Sequence, residues 1–205
     1  MHRTMVFIDY ENFDIARHNL HKAEKPNVSE VPWLDLIKFP QELCKKISPT
    51  YTLLKTFLFV PEPDDFLMDE AWRKKKFDWL KNLNNQDFFT VVSGRHVAKP
   101  IAGRDYSTRD LNDKATYFID EKGTDINMAA HMLTKAFHNS YDTAIVVSGD
   151  TDYIPVYDIL NTIGKTVVVV GVKKQNMSKF KDHTDRQMII DTKFFNQCLR
   201  PIKNK

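Results

Sequence analysis

Two stretches constrain the fold more than anything else in the chain. "TAIVVSGD", residues 143–150, and "KTVVVVGV", residues 165–172, place apolar β-branched residues at successive positions instead of at every second one. A strand with one wet face alternates, so a strand that is apolar throughout must be covered on both faces, as in a parallel sheet flanked by helices. Comparable runs occupy 4–9, 51–60 and 88–93, with a shorter one at 187–191. Helical spacing separates them, near 33–47, 68–83, 124–138 and 152–163. Strand and helix alternating in this way predict βα units around a mostly parallel sheet, an α/β fold. At 205 residues, one domain spanning 1–205 is expected, since single domains commonly reach about this size.

The helix at 124–138 has the clearest pattern. Ile126, Ala129, Ala130, Leu133, Ala136 and Phe137 fall at helical spacing and predict one apolar stripe. Gly123 and Thr124 supply the turn and N-cap, which puts Asp125 in the first turn, where a carboxylate is favoured by the helix dipole. For an isolated Asp, capping is the preferred explanation. Residues 94–118 carry Gly94, Pro100 and Gly103 and read as a flexible basic loop or a hairpin with a mobile tip. Arg95, Lys99, Arg104, Arg109 and Lys114 lie there with Tyr106 and Tyr117. A solvated charged loop is the default reading, and phosphate contact with base stacking is the alternative. Residues 21–32 form a second polar connection, limited by Pro26 and Pro32. The basic segment near 72–81 is read as a solvated helix face, and 199–205 as a short basic tail.

Net charge is +3, which permits a polyanionic partner without demanding one. Cys44 and Cys198 stand alone without CxxC pairing, which argues against a disulfide framework or thiolate zinc site and fits a reducing, cytoplasmic setting. No run is long enough to span a membrane, and no cleavable leader is expected before the first strand.

Acids recur where strands should end. "MVFIDYENF", residues 5–13, leaves a buried run at Asp9, and the run at 143–148 leads to Asp150 and Asp152 before the next helix. In open parallel sheets, ligands collect beyond the carboxyl ends of the strands. If the two strands are neighbours, Asp9 and the Asp150/Asp152 pair share that edge, and Asp125 can join them. Two carboxylates about 4 Å apart repel by roughly 4 kcal/mol at an effective dielectric of ~20. A group of four therefore calls for an offsetting cation. Mg²⁺ and Mn²⁺ are hard ions that prefer oxygen ligands, and such an ion acidifies water and neutralises charge on a phosphodiester. His18 and His21 are three apart but lack partners for a zinc set. Singly, each Asp is explained by a cap or turn. Jointly they are not, because capping gives no reason for acids to gather at one sheet edge.

"VFIDYENF" at 6–13, "KGTDINMAAHML" at 122–133 and "YDTAIVVSGDTDYIPVYDILNTIGKTVVVVGV" at 141–172 together resemble the NYN domains of the PIN-like nuclease superfamily, and are similar in particular to the bacterial LabA-like group. The resemblance implies a three-layer α/β/α sandwich and a Mg²⁺- or Mn²⁺-dependent nuclease acting on RNA; single-stranded DNA as a second partner is left open. It implies that Asp9, Asp125, Asp150 and Asp152 hold the metal and carry catalysis, leaving a 5′-phosphate. Asn12 would support the first acid or touch substrate, Ser148 would lie beside the metal, and Lys122 near the phosphate. Arg95, Lys99, Arg104 and Arg109 are the further candidates for substrate contact, and Asp185 is peripheral.

Other readings stay open. The same acids could bind nucleic acid or a nucleotide in a regulatory protein without turnover. A haloacid-dehalogenase-type phosphatase is disfavoured, because Glu11 stands where its second Asp belongs. A dinucleotide fold is disfavoured by the lack of GxGxxG after the first strand. A homodimer, which would lengthen a binding channel, is left open.

Overall fold

The computed structural model describes residues 2–201. Seven strands, β1 (His2–Asp9), β2 (Tyr51–Pro63), β3 (Phe89–Pro100), β4 (Tyr117–Lys122), β5 (Thr143–Val147), β6 (Thr166–Val172) and β7 (Arg186–Ile190), form one sheet in the order β4-β3-β2-β1-β5-β6-β7. All neighbours run parallel except β3 and β4, which are antiparallel. Seven α-helices accompany the described strands: α1 (Tyr10–Glu24), α2 (Lys38–Ile47), α3 (Asp65–Met68), α4 (Ala71–Lys81), α5 (Thr124–Phe137), α6 (Ile154–Thr162) and α7 (Thr192–Gln197).

The doubly apolar strands have the expected cause. Val6 and Ile8 of β1 enter one core with Phe13 and Leu20 of α1, Phe39 and Leu43 of α2, Phe77 and Leu80 of α4, and Phe194 of α7. Met5 and Phe7 enter the other with Met128 and Met132 of α5 and Val156, Tyr157 and Leu160 of α6. Along β6, Val168 and Val170 face the first core, Val167 and Val169 the second. Each successive side chain needs an apolar partner because each strand face carries its own layer of helices. The result is an α/β/α arrangement.

β1 lies at the centre, between β2 and β5. From it the chain winds outward through β2 and β3, then returns to β5 on the other side. This is the switch point, where the connections above two adjacent strands leave in opposite directions and open a crevice at the carboxyl edge. Ile8 pairs with Val147 in that register, so Asp9 and Ser148 emerge side by side.

Several local features differ from the sequence expectations. α1 begins directly after Asp9 and runs into the stretch read as a polar connection; its buried face, Tyr10, Phe13, Ala16 and Leu20, is narrow and most other positions are polar. For residues 94–118 the hairpin is the reading that holds: β3 continues to Pro100, a short 3₁₀ turn spans Tyr106–Thr108 in the connection, and the chain returns as β4 antiparallel to β3. The apolar stripe of α5 holds in part: Ala129, Leu133 and Ala136 pack into the second core as expected, and the rest is corrected. Its buried residues are Thr124, Met128, Met132 and Ala136, whereas Ile126 and Phe137 are 73% and 67% exposed. On α4, Lys76 reaches back to Asp14 at 2.8 Å and Arg73 pairs with Glu70 at 2.8 Å, while Lys74 and Lys75 are exposed. The basic tail continues beyond residue 201, outside the described residues. Among the described residues, no helix is long and apolar enough to cross a membrane.

Candidate active site

Asp9 ends β1 and caps α1 at once. Its Oδ1 accepts from the Asn12 backbone N–H at 3.3 Å, and its Oδ2 accepts from the Ser148 hydroxyl at 3.0 Å. The carboxyl is only 5% exposed. Burial raises it from 3.8 to about 6, opposed by the Asn12 and Ser148 hydrogen bonds and reinforced by the charges of Asp125 and Asp150. Capping and crowding therefore coexist at the same side chain.

The other acids arrive from two further elements. Asp150 follows Ser148-Gly149 at the end of β5; its N–H donates to Ser148 Oγ at 3.1 Å and its Oδ1 accepts from the Asp152 N–H at 2.9 Å. Asp152 is exposed in the short 3₁₀ turn Thr151–Tyr153. Asp125 stands in the first turn of α5, after Gly123 at φ +81°, a left-handed conformation that glycine accepts readily. Its Oδ1 accepts from the Tyr153 hydroxyl at 2.7 Å. Tyr153 is buried, and desolvation with the charges of Asp9 and Asp125 lifts its phenol far above the ordinary range, so it remains a donor. Tyr157 Oη is buried with no hydrogen-bond partner while Asp9 and Asp150 act on it electrostatically.

Asn12 locks two loops together. Its Oδ1 accepts from the Gly149 N–H at 2.9 Å and from Gln175 Nε2 at 3.3 Å. A Cβ at Gly149 would stand 2.5 Å from that Gln175 nitrogen, so the small residue lets the loop close. Asp185 lies at the opposite end of β6, accepting from the Val167 N–H at 2.7 Å.

The basic candidates divide by contact. Arg95 and Lys122 are register partners in the β3–β4 ladder, and both are exposed. Lys122 pairs with Asp120 at 3.0 Å, and Lys99 pairs with the same carboxylate. Arg109 Nη1 donates to the Ala98 carbonyl at 2.7 Å, and its guanidinium covers Phe66 of α3 at 4.2 Å and Tyr106 at 4.8 Å, packed between the hairpin and α3. Arg104 is exposed in the connection.

A hard divalent cation fits the donor chemistry of the aspartates. All are oxygen donors, the second oxygens of Asp125 and Asp150 accept no side-chain or backbone hydrogen bond among the described residues, and the orphaned Tyr157 hydroxyl marks unsatisfied polarity beside Asp9. Among the described residues, no three of the aspartates bring ligating oxygens within 4.8 Å of one another; the group that does is Glu11, His96 and Glu121, unforeseen from the sequence. His96 Nε2 lies 2.8 Å from Glu11 Oε2. Burial and the Glu11 carboxylate push Glu121 up to about 7. Glu11 is also raised by burial, but its hydrogen bonds with His96 and Glu121 leave it below its ordinary value. Glu11 and His96 line a cleft of about 170 Å³ with Tyr10, Pro63, Trp72 and Lys76.

Comparison with known proteins agrees with this architecture. The NYN domain family profile matches residues 3–191, and the chain belongs to that family, within the PIN-like superfamily. Its domains are generally nucleases, and PIN-like nucleases usually use divalent metals. A comparison with curated proteins finds no match. Among solved structures, the chain is similar to a protein of unknown function from Vibrio parahaemolyticus RIMD 2210633, at 17% identity over 95% of each chain with a TM-score of 0.55. That likeness concerns the fold alone.

Proposed function

We propose that this domain is a LabA-like ribonuclease that hydrolyses phosphodiester bonds of single-stranded RNA, using Mg²⁺ or Mn²⁺ held by Asp9, Asp125, Asp150 and Asp152. The observation that carries the reading is Asp9: a carboxyl 5% exposed, at the switch point, raised to about 6 by burial and by two further acids that arrive from β5 and α5. When bound, such an ion supplies Lewis-acid polarisation of a phosphoryl oxygen and water of lowered pKa.

The chain's own residues do the positioning. Ser148 and the Asn12 N–H fix both oxygens of Asp9, and Tyr153 fixes one oxygen of Asp125. Asn12 holds the Gly149 turn so that Asp150 stays beside Asp9. Arg95, Arg104 and Lys122, exposed on or near the hairpin that leads into Asp125, are suited to phosphate oxygens of the RNA backbone. Buried, unpaired Cys44 and Cys198 accord with a cytoplasmic setting.

Purified protein should cleave single-stranded RNA in Mg²⁺ or Mn²⁺ and lose that activity with EDTA or with Asp150→Asn. Cleavage that survives both treatments refutes the reading. Salt-dependent RNA binding with no cleavage in either metal would assign the site to a regulatory binder instead.

A further inference from the structure

The geometry points to a second metal site, separate from the aspartates, in which Glu11, His96 and Glu121 bind a transition dication of the Zn²⁺ type and tie the first turn of α1 to the β3–β4 hairpin. Three elements contribute one ligand each. His96 and Glu121 are register partners across the antiparallel ladder, so the backbone fixes their proximity, and Glu11 meets them from α1. The three ligating atoms already lie within 4.8 Å of one another. Ligands about 2.0–2.1 Å from a tetrahedral centre stand roughly 3.3 Å apart. Closing that gap requires about 1.5 Å of movement at most, within reach of Glu side-chain torsions.

The donor set selects the ion class. An imidazole nitrogen suits Zn²⁺ and its neighbours, whereas Mg²⁺ keeps oxygen ligands and waters. Two carboxylates with a neutral imidazole carry the charge that one dication cancels. Lys76 and Arg73, cations that line the same cleft, are paired with Asp14 and Glu70, each at 2.8 Å. The cleft shared by Glu11 and His96 gives a path of access.

A second observation marks the place as built. Thr124 is 1% exposed and its hydroxyl, without a hydrogen bond of its own, lies near the Glu121 carboxyl. On metal binding it would become the outer-shell donor to that carboxylate. Gly94 makes room for it, since a Cβ there would stand 2.1 Å from Thr124 Oγ1. Glu11 is two residues from Asp9, and Glu121 four residues before Asp125. An ion joining the two glutamates therefore couples the segments that carry two of the acids at the switch point.

The full-length chain, stripped with a chelator, can be titrated calorimetrically with Zn²⁺ in excess Mg²⁺. One Zn²⁺ should bind, and X-ray absorption should show an imidazole nitrogen at about 2.0–2.1 Å. His96→Gln and the exposed-strand variant Glu121→Gln, both checked for fold by circular dichroism, should each weaken binding at least tenfold, with the nitrogen signal lost in His96→Gln. Asp150→Asn should leave Zn²⁺ affinity within about twofold. No Zn²⁺ binding, binding unchanged in both of the first two variants, or binding lost only with Asp150→Asn would overturn the site. The readout is binding, so it stands or falls independently of RNA cleavage.

Discussion

Asp9→Asn should make the metal-free protein more stable at neutral pH. The wild-type carboxyl rises from 3.8 to about 6 on folding, chiefly because it is buried. Between those values the folded state binds more protons than the unfolded one, so stability falls as pH rises through that window. A difference of about two pH units, at 1.36 kcal/mol each, means that ionised Asp9 costs the folded state about 3 kcal/mol at pH 7. Asn keeps an acceptor for the Asn12 N–H but presents an amide where Ser148 now donates, a loss of about 1 kcal/mol. The net gain of about 2 kcal/mol corresponds to roughly 4–8 °C in Tm for a chain of this size. Thermal and urea unfolding in EDTA at pH 4 and pH 7.5 test this. The advantage should appear at pH 7.5 and vanish or reverse at pH 4. An Asp9→Asn protein that is less stable at pH 7.5, or offset equally at both pH values, would refute the idea that a strained carboxylate is held at the switch point.

Gly94→Ala should destabilise the protein by about 1–3 kcal/mol, because the new Cβ meets the Thr124 backbone nitrogen at 2.7 Å and the Lys122 carbonyl at 2.9 Å, neither of which can step aside as a side chain would; chemical denaturation reads this directly. Tyr153→Phe removes the 2.7 Å hydrogen bond to Asp125 and should lower kcat for RNA cleavage about tenfold or more while the fold survives, with an unchanged kcat counting against a positioning role. Replacing Arg95 and Lys122 together by Ala should flatten the salt dependence of RNA affinity by about two phosphate contacts in filter-binding titrations, with an unchanged slope showing that the hairpin does not meet the backbone.

The strands were legible because burial on both faces leaves a mark at every residue: the valines of β6 report two cores at once. The acids at the ends of β1 and β5 followed from the same reasoning once those strands were taken as neighbours, which they are. α1 escaped because its burial needs only a few apolar positions in a polar segment, and that pattern resembles a connection. β4 was covered only by the hairpin alternative, not read as a strand. It is an edge strand that buries Tyr117, exposes Phe118 and Ile119 and ends in Asp120, Glu121 and Lys122, so no buried run marks it and only its pairing with β3 defines it. The Glu11–His96–Glu121 group was hidden with it, since no spacing along the chain says that His96 faces Glu121. On α5, the methionines at 128 and 132 fill the core in place of the more conspicuous Ile126 and Phe137, a choice made by the helix's rotation against β3, where Asn127 Nδ2 donates to the Ser93 carbonyl at 3.1 Å.

If acids from β1, β5 and α5 jointly hold a divalent ion at the switch point, anomalous diffraction from a crystal soaked in Mn²⁺ should show a strong peak bounded by Asp9, Asp125 and Asp150. Manganese found only between Glu11, His96 and Glu121, or nowhere beside Asp9, would contradict it.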